Sequence, residues 1–267
     1  MKEAFGVGKH YCRFDPEMPK EIPSRDSGVD GYAGDPPLTN RGFRMAINAG
    51  VMLLTESAFP LLPFLFCSLL KYQEYQDFLT SFVSGVLLKE RNITVDFLYV
   101  SPALRCIQTA QGILKGLGNS ELELLVEPGL FQWMRWCKNR MPEFLSINEL
   151  VKADFPVSTT YKPLYNAQNY DLHETLEEYF QRSYALIKNI LARHSEGTIL
   201  CVAHAGSLST LSQQLCGKEP LIADDFSRFL RGISYLSCEE VQEQDNRSWE
   251  SAGSPIPKLS TSGLDRC

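Results

Sequence analysis

The sequence predicts an α/β protein built on a mostly parallel, doubly wound sheet, and three observations carry that reading. Segments rich in β-branched and aromatic residues alternate along the chain with segments of helical period. Residues 198–203 (TILCVA) are apolar on both faces, as expected for a central parallel strand covered by helices on both sides. The 267 residues are 44% hydrophobic and 22% charged, which excludes wholesale disorder, collagen-like repeats and a multispan membrane protein. At this length folding buries roughly 70–75% of the surface that the unfolded chain exposes.

Each element follows from local chemistry. Residues 7–38 read as loop, because Pro16, Pro19, Pro23, Gly28, Gly31, Gly34, Pro36 and Pro37 break any period. Thr39 is a capping residue for a helix through Phe43, Ala46 and Ile47 toward Gly50. Residues 51–70 (VMLLTESAFPLLPFLFCSLL) approach the length of a membrane span, but Glu56, Pro60 and Pro63 count against one. Residues 93–100 (ITVDFLYV) form a strand that ends at Ser101-Pro102, read as the N-cap and first turn of a helix carrying Ile107, Ala110, Leu114 and Leu117. A short strand follows at 122–126, then a capping box, Ser146 with Glu149, opening a short helix. The strongest helix is 174–193, with Leu176, Phe180, Ser183, Ile187 and Ile190 on one face. After the strand at 198–203, a helix starts at Ser207 and a last strand covers 232–238. Residues 239–267 are polar and rich in Ser, Pro and Gly, and read as a largely disordered tail.

With 26 Lys and Arg against 32 Asp and Glu, the net charge is −6. That balance argues against a nucleic-acid partner, which ordinarily demands a basic surplus. The eight cysteines are scattered and none forms a C-x-x-C pair, so they read as reduced thiols, Cys106 and Cys201 as small buried hydrophobes. The first residues carry no apolar signal core, and the expected location is cytoplasmic.

Ligands of such a sheet bind beyond the carboxyl ends of the strands. Two strand ends carry chemistry. Ser101-Pro102-Ala103-Leu104-Arg105 puts a guanidinium beside the free N–H groups of a helix start, and Ala203-His204-Ala205-Gly206-Ser207 puts a histidine at the end of a buried strand. Taken singly, a helical arginine is ordinarily a solvated surface group, and a strand-end histidine a hydrogen-bonded structural one. Together on one sheet edge they point to phosphate chemistry.

The run from Phe97 to Ala110, FLYVSPALRCIQTA, resembles the second signature of the histidine phosphatase (phosphoglycerate-mutase-like) superfamily, closest to TULA/Sts-type protein phosphatases and ecdysteroid-phosphate phosphatases. Four further segments match in order: Asp35-Pro36-Pro37-Leu38-Thr39 with Gly42, Glu127-Pro128-Gly129-Leu130-Phe131-Gln132-Trp133, Tyr161-Lys162-Pro163, and Val202-Ala203-His204-Ala205-Gly206-Ser207. The resemblance implies a three-layer α/β fold and phosphomonoester hydrolysis through a phosphohistidine, with no metal or cofactor. It implies that Arg105 and His204 bind the phosphoryl oxygens, His204 also serving catalysis. The implied ligands are a phosphorylated protein, such as one carrying phosphotyrosine, or a small phosphate ester, and a homodimer is compatible with it.

Two departures from the pattern bear on activity. The sequence contains no R-H-G, the motif that supplies the nucleophile in this family, and the pattern would end that motif about where Met1 begins. His10, His173 and His194 lack its context and read as loop or helix-surface residues. The position of the family's acid is Gln132, and a carboxamide donates a hydrogen bond but supplies no proton near neutral pH. Glu127 and Glu143 are the carboxylates nearby in sequence; Trp133 and Trp136 either line the pocket mouth or pack on the core. The chain as it stands is therefore expected to be catalytically impaired, a phosphate-binding pseudophosphatase or a structural module. The resemblance covers 1–50 and 86–238 and is interrupted by the apolar stretch 51–85. Because valine codons begin with GT and Ser84-Gly85 is compatible with an AG end, that stretch reads as a retained intron or gene-model artefact, coupled to a misplaced start codon.

Overall fold

The computed structural model describes residues 22–26, 32, 35, 84–138, 140–234 and 236–256. The helix expected from Thr39 and most of the 51–85 stretch lie outside those residues. At the centre is a parallel sheet of β1 (Phe97–Val100), β2 (Leu124–Val126) and β3 (Ile199–Val202), in the order β2-β1-β3. The principal helices are α1 (Leu104–Leu117), α2 (Ile147–Lys152), α3 (Leu176–Ala192) and α4 (Ala223–Gly232). Val100 pairs with Val126 on one side and Val202 on the other, so the three strands end level at one edge.

Strand alternation sorts the core into two sides. Leu98, Val100, Leu124, Val126 and Val202 pack with Ile107, Ala110 and Leu114 of α1, while Tyr99 points the other way onto Leu186, Ile187 and Ile190 of α3. The result is helix, sheet and helix in three layers. The capping box predicted at Ser146 is real, and α3 opens on a second one that the sequence reading did not name. Ser146 Oγ accepts from Glu149 N, Thr175 Oγ1 accepts from Glu178 N, and each glutamate reaches back to its cap's backbone N–H. Residues 84–90 are helical and cross α1 closely: a Cβ on Gly85 would lie 2.1 Å from the Ile113 carbonyl. The helix thus runs across the break expected at 85/86.

Four expectations are corrected. Ser101 and Pro102 do not open α1; its N-cap is Ala103, with no side-chain cap of its own, and the Leu104 N–H is taken at 2.8 Å by Asp35 Oδ1 from a distant part of the chain. Asp35 Oδ2 in turn pairs with Arg25 at 2.6 Å, both side chains being buried. Second, β1 rather than β3 is central among the described strands, and Ile199, Leu200 and Cys201 remain partly exposed. Third, the described residues of 232–238 form no strand: α4 continues through Gly232, and Leu236 turns the chain at φ 54°. A strand requires a partner, and among the described residues none pairs with the outer edge of β3. Fourth, the stretch after 239 is not wholly unstructured. β4 (Glu240–Glu243) and β5 (Trp249–Gly253) form an antiparallel hairpin, closed where Asn246 Oδ1 accepts from Ser248 N, and Ile256 joins the main core. Composition registered the polarity of this stretch but not the Asx turn that closes it.

Candidate functional site

Because β1, β2 and β3 end at one edge, the segments that leave them meet there. Arg105 stands in the first turn of α1, His204 follows β3, and Gln132 lies in the turn after β2. The structure brings all three together. Arg105 Nη2 donates at 2.9 Å to His204 Nδ1 and at 2.9 Å to Gln132 Oε1. On its other side the imidazole Nε2 is 2.8 Å from Ser101 Oγ.

These contacts fix the state of the ring. A guanidinium only donates, so Nδ1 must be the acceptor, and the proton of the neutral ring sits on Nε2 and is donated to Ser101. Burial, with the charges of Arg105 and Arg182, holds His204 well below the usual histidine value. It is a neutral imidazole at physiological pH. Ser101, expected as a helix cap, serves as its partner instead.

The turn that carries Gln132 is held from behind. Arg182 Nε and Nη2 grip Glu174 Oε1 and Oε2 at 2.6 and 3.0 Å, with both side chains buried. The guanidinium also donates to the carbonyls of Gly129, Phe131 and Gln132 at 2.8, 3.3 and 3.4 Å. Glu174 accepts from Met134 N at 3.0 Å, and its carbonyl takes the Trp133 indole N–H at 2.8 Å. Sequence reading missed this pair. The signal available was an arginine next to Ser183 on the apolar stripe of α3, with a glutamate just before the Thr175 cap.

The two carboxylates near Gln132 in sequence do other work. Glu127 is fully buried and accepts four hydrogen bonds, from Gly129 N (2.9 Å), Tyr161 Oη (2.7 Å), Leu164 N (2.7 Å) and Tyr165 N (3.1 Å). That carboxylate holds the turn after β2 to the segment containing Tyr161-Lys162-Pro163, and burial with the Glu127 contact raises the Tyr161 hydroxyl. Glu143 is half exposed and pairs with Arg140 at 3.3 Å. Trp133 and Trp136 both pack on Phe226, Trp136 stacked at 6.1 Å and 40% exposed.

The other described histidines stay apart from this cluster. His173 is exposed, and His10 lies outside the described residues. His194 is more embedded than expected: it meets Tyr99 Oη at 2.8 Å and lies 3.7 Å from the Phe97 ring. Five described cysteines are free thiols, and burial pushes Cys106 up to about 11 and the half-buried Cys201 up to about 12, away from the reactive thiolate. Among the described residues no three His, Cys, Asp or Glu side chains gather as a metal site, and no helix is long and apolar enough to cross a membrane.

Fold and site together define a three-layer, parallel α/β domain whose strand ends converge a guanidinium, an imidazole and a carboxamide. The family model of the Histidine phosphatase superfamily (branch 1) matches residues 85–250, and the chain belongs to that superfamily. It is 33% identical over 266 residues to mouse Ubiquitin-associated and SH3 domain-containing protein B, an alignment covering 97% of this chain and 36% of that protein. It is 32% identical over 241 residues to the Ecdysteroid-phosphate phosphatase of Drosophila melanogaster, covering 88% of this chain and 27% of that one. The chain thus spans about a third of the length of the curated relatives it matches. The crystal structure of the Bombyx mori ecdysone phosphate phosphatase in complex with tungstate superposes with a TM-score of 0.68 and 23% identity, covering all of this chain and 90% of that one, which shows the fold.

Proposed function

We propose that the chain recognises phosphomonoesters in the pocket formed by Arg105, His204 and Gln132, and that these 267 residues bind such ligands without turning them over. One observation carries the binding half: the Arg105 guanidinium spends its hydrogen bonds on two neutral groups, His204 and Gln132, so neither contact cancels its charge. A cation fixed beyond the strand ends with only neutral groups on its fork is suited to an oxyanion, since hydrogen bonds between a guanidinium and a phosphate oxygen are charge-assisted. Superfamily membership supports a phosphate ester as the ligand, and the name of the Drosophila relative supports a small one. A phosphotyrosine side chain meets the same requirement, as a phosphorylated protein ligand in the cytoplasm.

The absence of turnover rests on two features. No Arg-His-Gly triplet occurs in the 267 residues, so the nucleophile that the superfamily resemblance calls for is not among them. Gln132 has no proton to give to a leaving alkoxide. Glu127 cannot replace it, because both its oxygens are engaged by N–H and O–H donors in the core. An aryl-phosphate assay tests this: the expected rate is that of a His204→Ala control. Release of the aryl alcohol that His204→Ala abolishes would overturn the reading.

A further inference from the structure

We propose that the buried Glu174–Arg182 pair is a positioning clamp that sets the Gln132 turn against Arg105, and so tunes oxyanion binding without touching the ligand. The inference rests on the phosphate reading of the pocket. Between Gly129 and Met134 the pair holds three carbonyls, one backbone N–H and one indole N–H, leaving Leu130 as the one residue of the turn it does not bond. Gln132 is therefore gripped twice: Arg182 takes its carbonyl oxygen at 3.4 Å, and Arg105 takes its side-chain oxygen at 2.9 Å.

Stability alone is a weak reason to keep such a pair, since well-packed apolar residues often replace a buried ion pair at no loss. What apolar residues cannot replace is the planar fork, which binds a carboxylate on one edge and leaves Nη1 for carbonyls on the other. Glu174 directly precedes the Thr175 cap of α3 and Arg182 lies in its second turn, on the helix whose Leu186, Ile187 and Ile190 pack on the sheet. The clamp thereby refers the turn to the same sheet that carries Arg105 and His204. A pocket of hydrogen-bonding groups depends on its supporting contacts at the level of about 0.5 Å.

The test uses the full chain with inorganic phosphate as the probe, comparing Arg182→Lys, Gln132→Ala, their combination and Arg105→Ala. Lysine keeps the charge beside Glu174 but loses the fork. The expected result is cooperative unfolding for Arg182→Lys with phosphate binding about tenfold weaker, a similar loss in Gln132→Ala, and no further loss in the combination. Losses that multiply, or unchanged binding by Arg182→Lys, overturn the clamp. If Arg182→Lys does not fold, the neutral pair Glu174→Gln with Arg182→Gln takes its place in the same comparison. Should Arg105→Ala bind phosphate as wild type does, the phosphate reading is what fails. The clamp is then judged by the Trp133 indole N–H resonance, which must shift in Arg182→Lys for the proposal to stand and falls with it if unmoved.

Discussion

Glu127→Gln separates a structural carboxylate from a catalytic one by a single atom. Glu127 is fully buried, and its two oxygens each accept two hydrogen bonds. The amide has one oxygen and one NH2 group. If the NH2 replaces Oε1, it faces the N–H groups of Gly129 and Tyr165. If it replaces Oε2, the Tyr161 hydroxyl can rotate to accept, and only the Leu164 N–H is stranded. The second orientation costs less. It leaves one buried donor unsatisfied, at about 1–3 kcal/mol, and turns the remaining bonds from charged to neutral acceptors of about half the strength. Relief of carboxylate desolvation offsets part of this, and the net is about 2–3 kcal/mol. For a chain of this size that lowers the midpoint of thermal unfolding by about 4–12 °C. The assay is thermal unfolding followed by circular dichroism, with phosphate binding measured well below the transition. The reasoning predicts a lowered midpoint and unchanged affinity. An unshifted midpoint with altered ligand handling would refute it, placing Glu127 in the site.

Two further predictions follow from packing and titration. Gly85→Ala places a methyl 2.1 Å from the Ile113 carbonyl and 2.8 Å from Leu117 N, both backbone atoms, and should destabilise by about 1–3 kcal/mol; Gly232→Ala, with nothing within 4 Å, should not, and urea titration compares them. His204 is held below its usual value of 6.5, so the unfolded chain binds the extra proton: its contribution to stability is whole above pH 6.5 and is lost as the pH falls below it. His194, lowered by burial, adds to the same window. His204→Gln should therefore reduce the dependence of stability on pH between about 5 and 6.5 by up to one proton, or about 1.4 kcal/mol per pH unit; an unchanged slope would mean that His204 is not the buried neutral ring described above.

Local signals in the sequence carried far. The β1 segment is legible because FLYV precedes a break at Ser101-Pro102, α2 because its capping box is local in sequence, and α3 because its apolar residues recur on one face. Arg105 and His204 were findable as strand-end residues, given that parallel strands finish on one edge, whereas Gln132 was reached only through the family resemblance. What was hidden depended on partners distant in sequence. Asp35 caps α1 across 69 positions, a role that sequence proximity alone assigns to Ser101. The strand expected at 232–238 had the right composition, but strand pairing is decided by a neighbour's edge. Arg182 was masked by its own helix, since a single polar residue beside an apolar stripe reads as flank until its carbonyl partners are known. The hairpin of β4 and β5 was obscured by averaging composition over a stretch whose order comes from one turn.

Inorganic phosphate, or vanadate in its place, titrated against wild type and Arg105→Ala tests the central claim most directly. Wild type is predicted to bind with an affinity that falls as salt rises, and Arg105→Ala, still folded, to lose about 1.5–3 kcal/mol of binding, the strength of hydrogen bonds to a charged group. Equal binding by the two proteins would contradict the account, because the charge on Arg105 is what makes this strand-end cluster an oxyanion site.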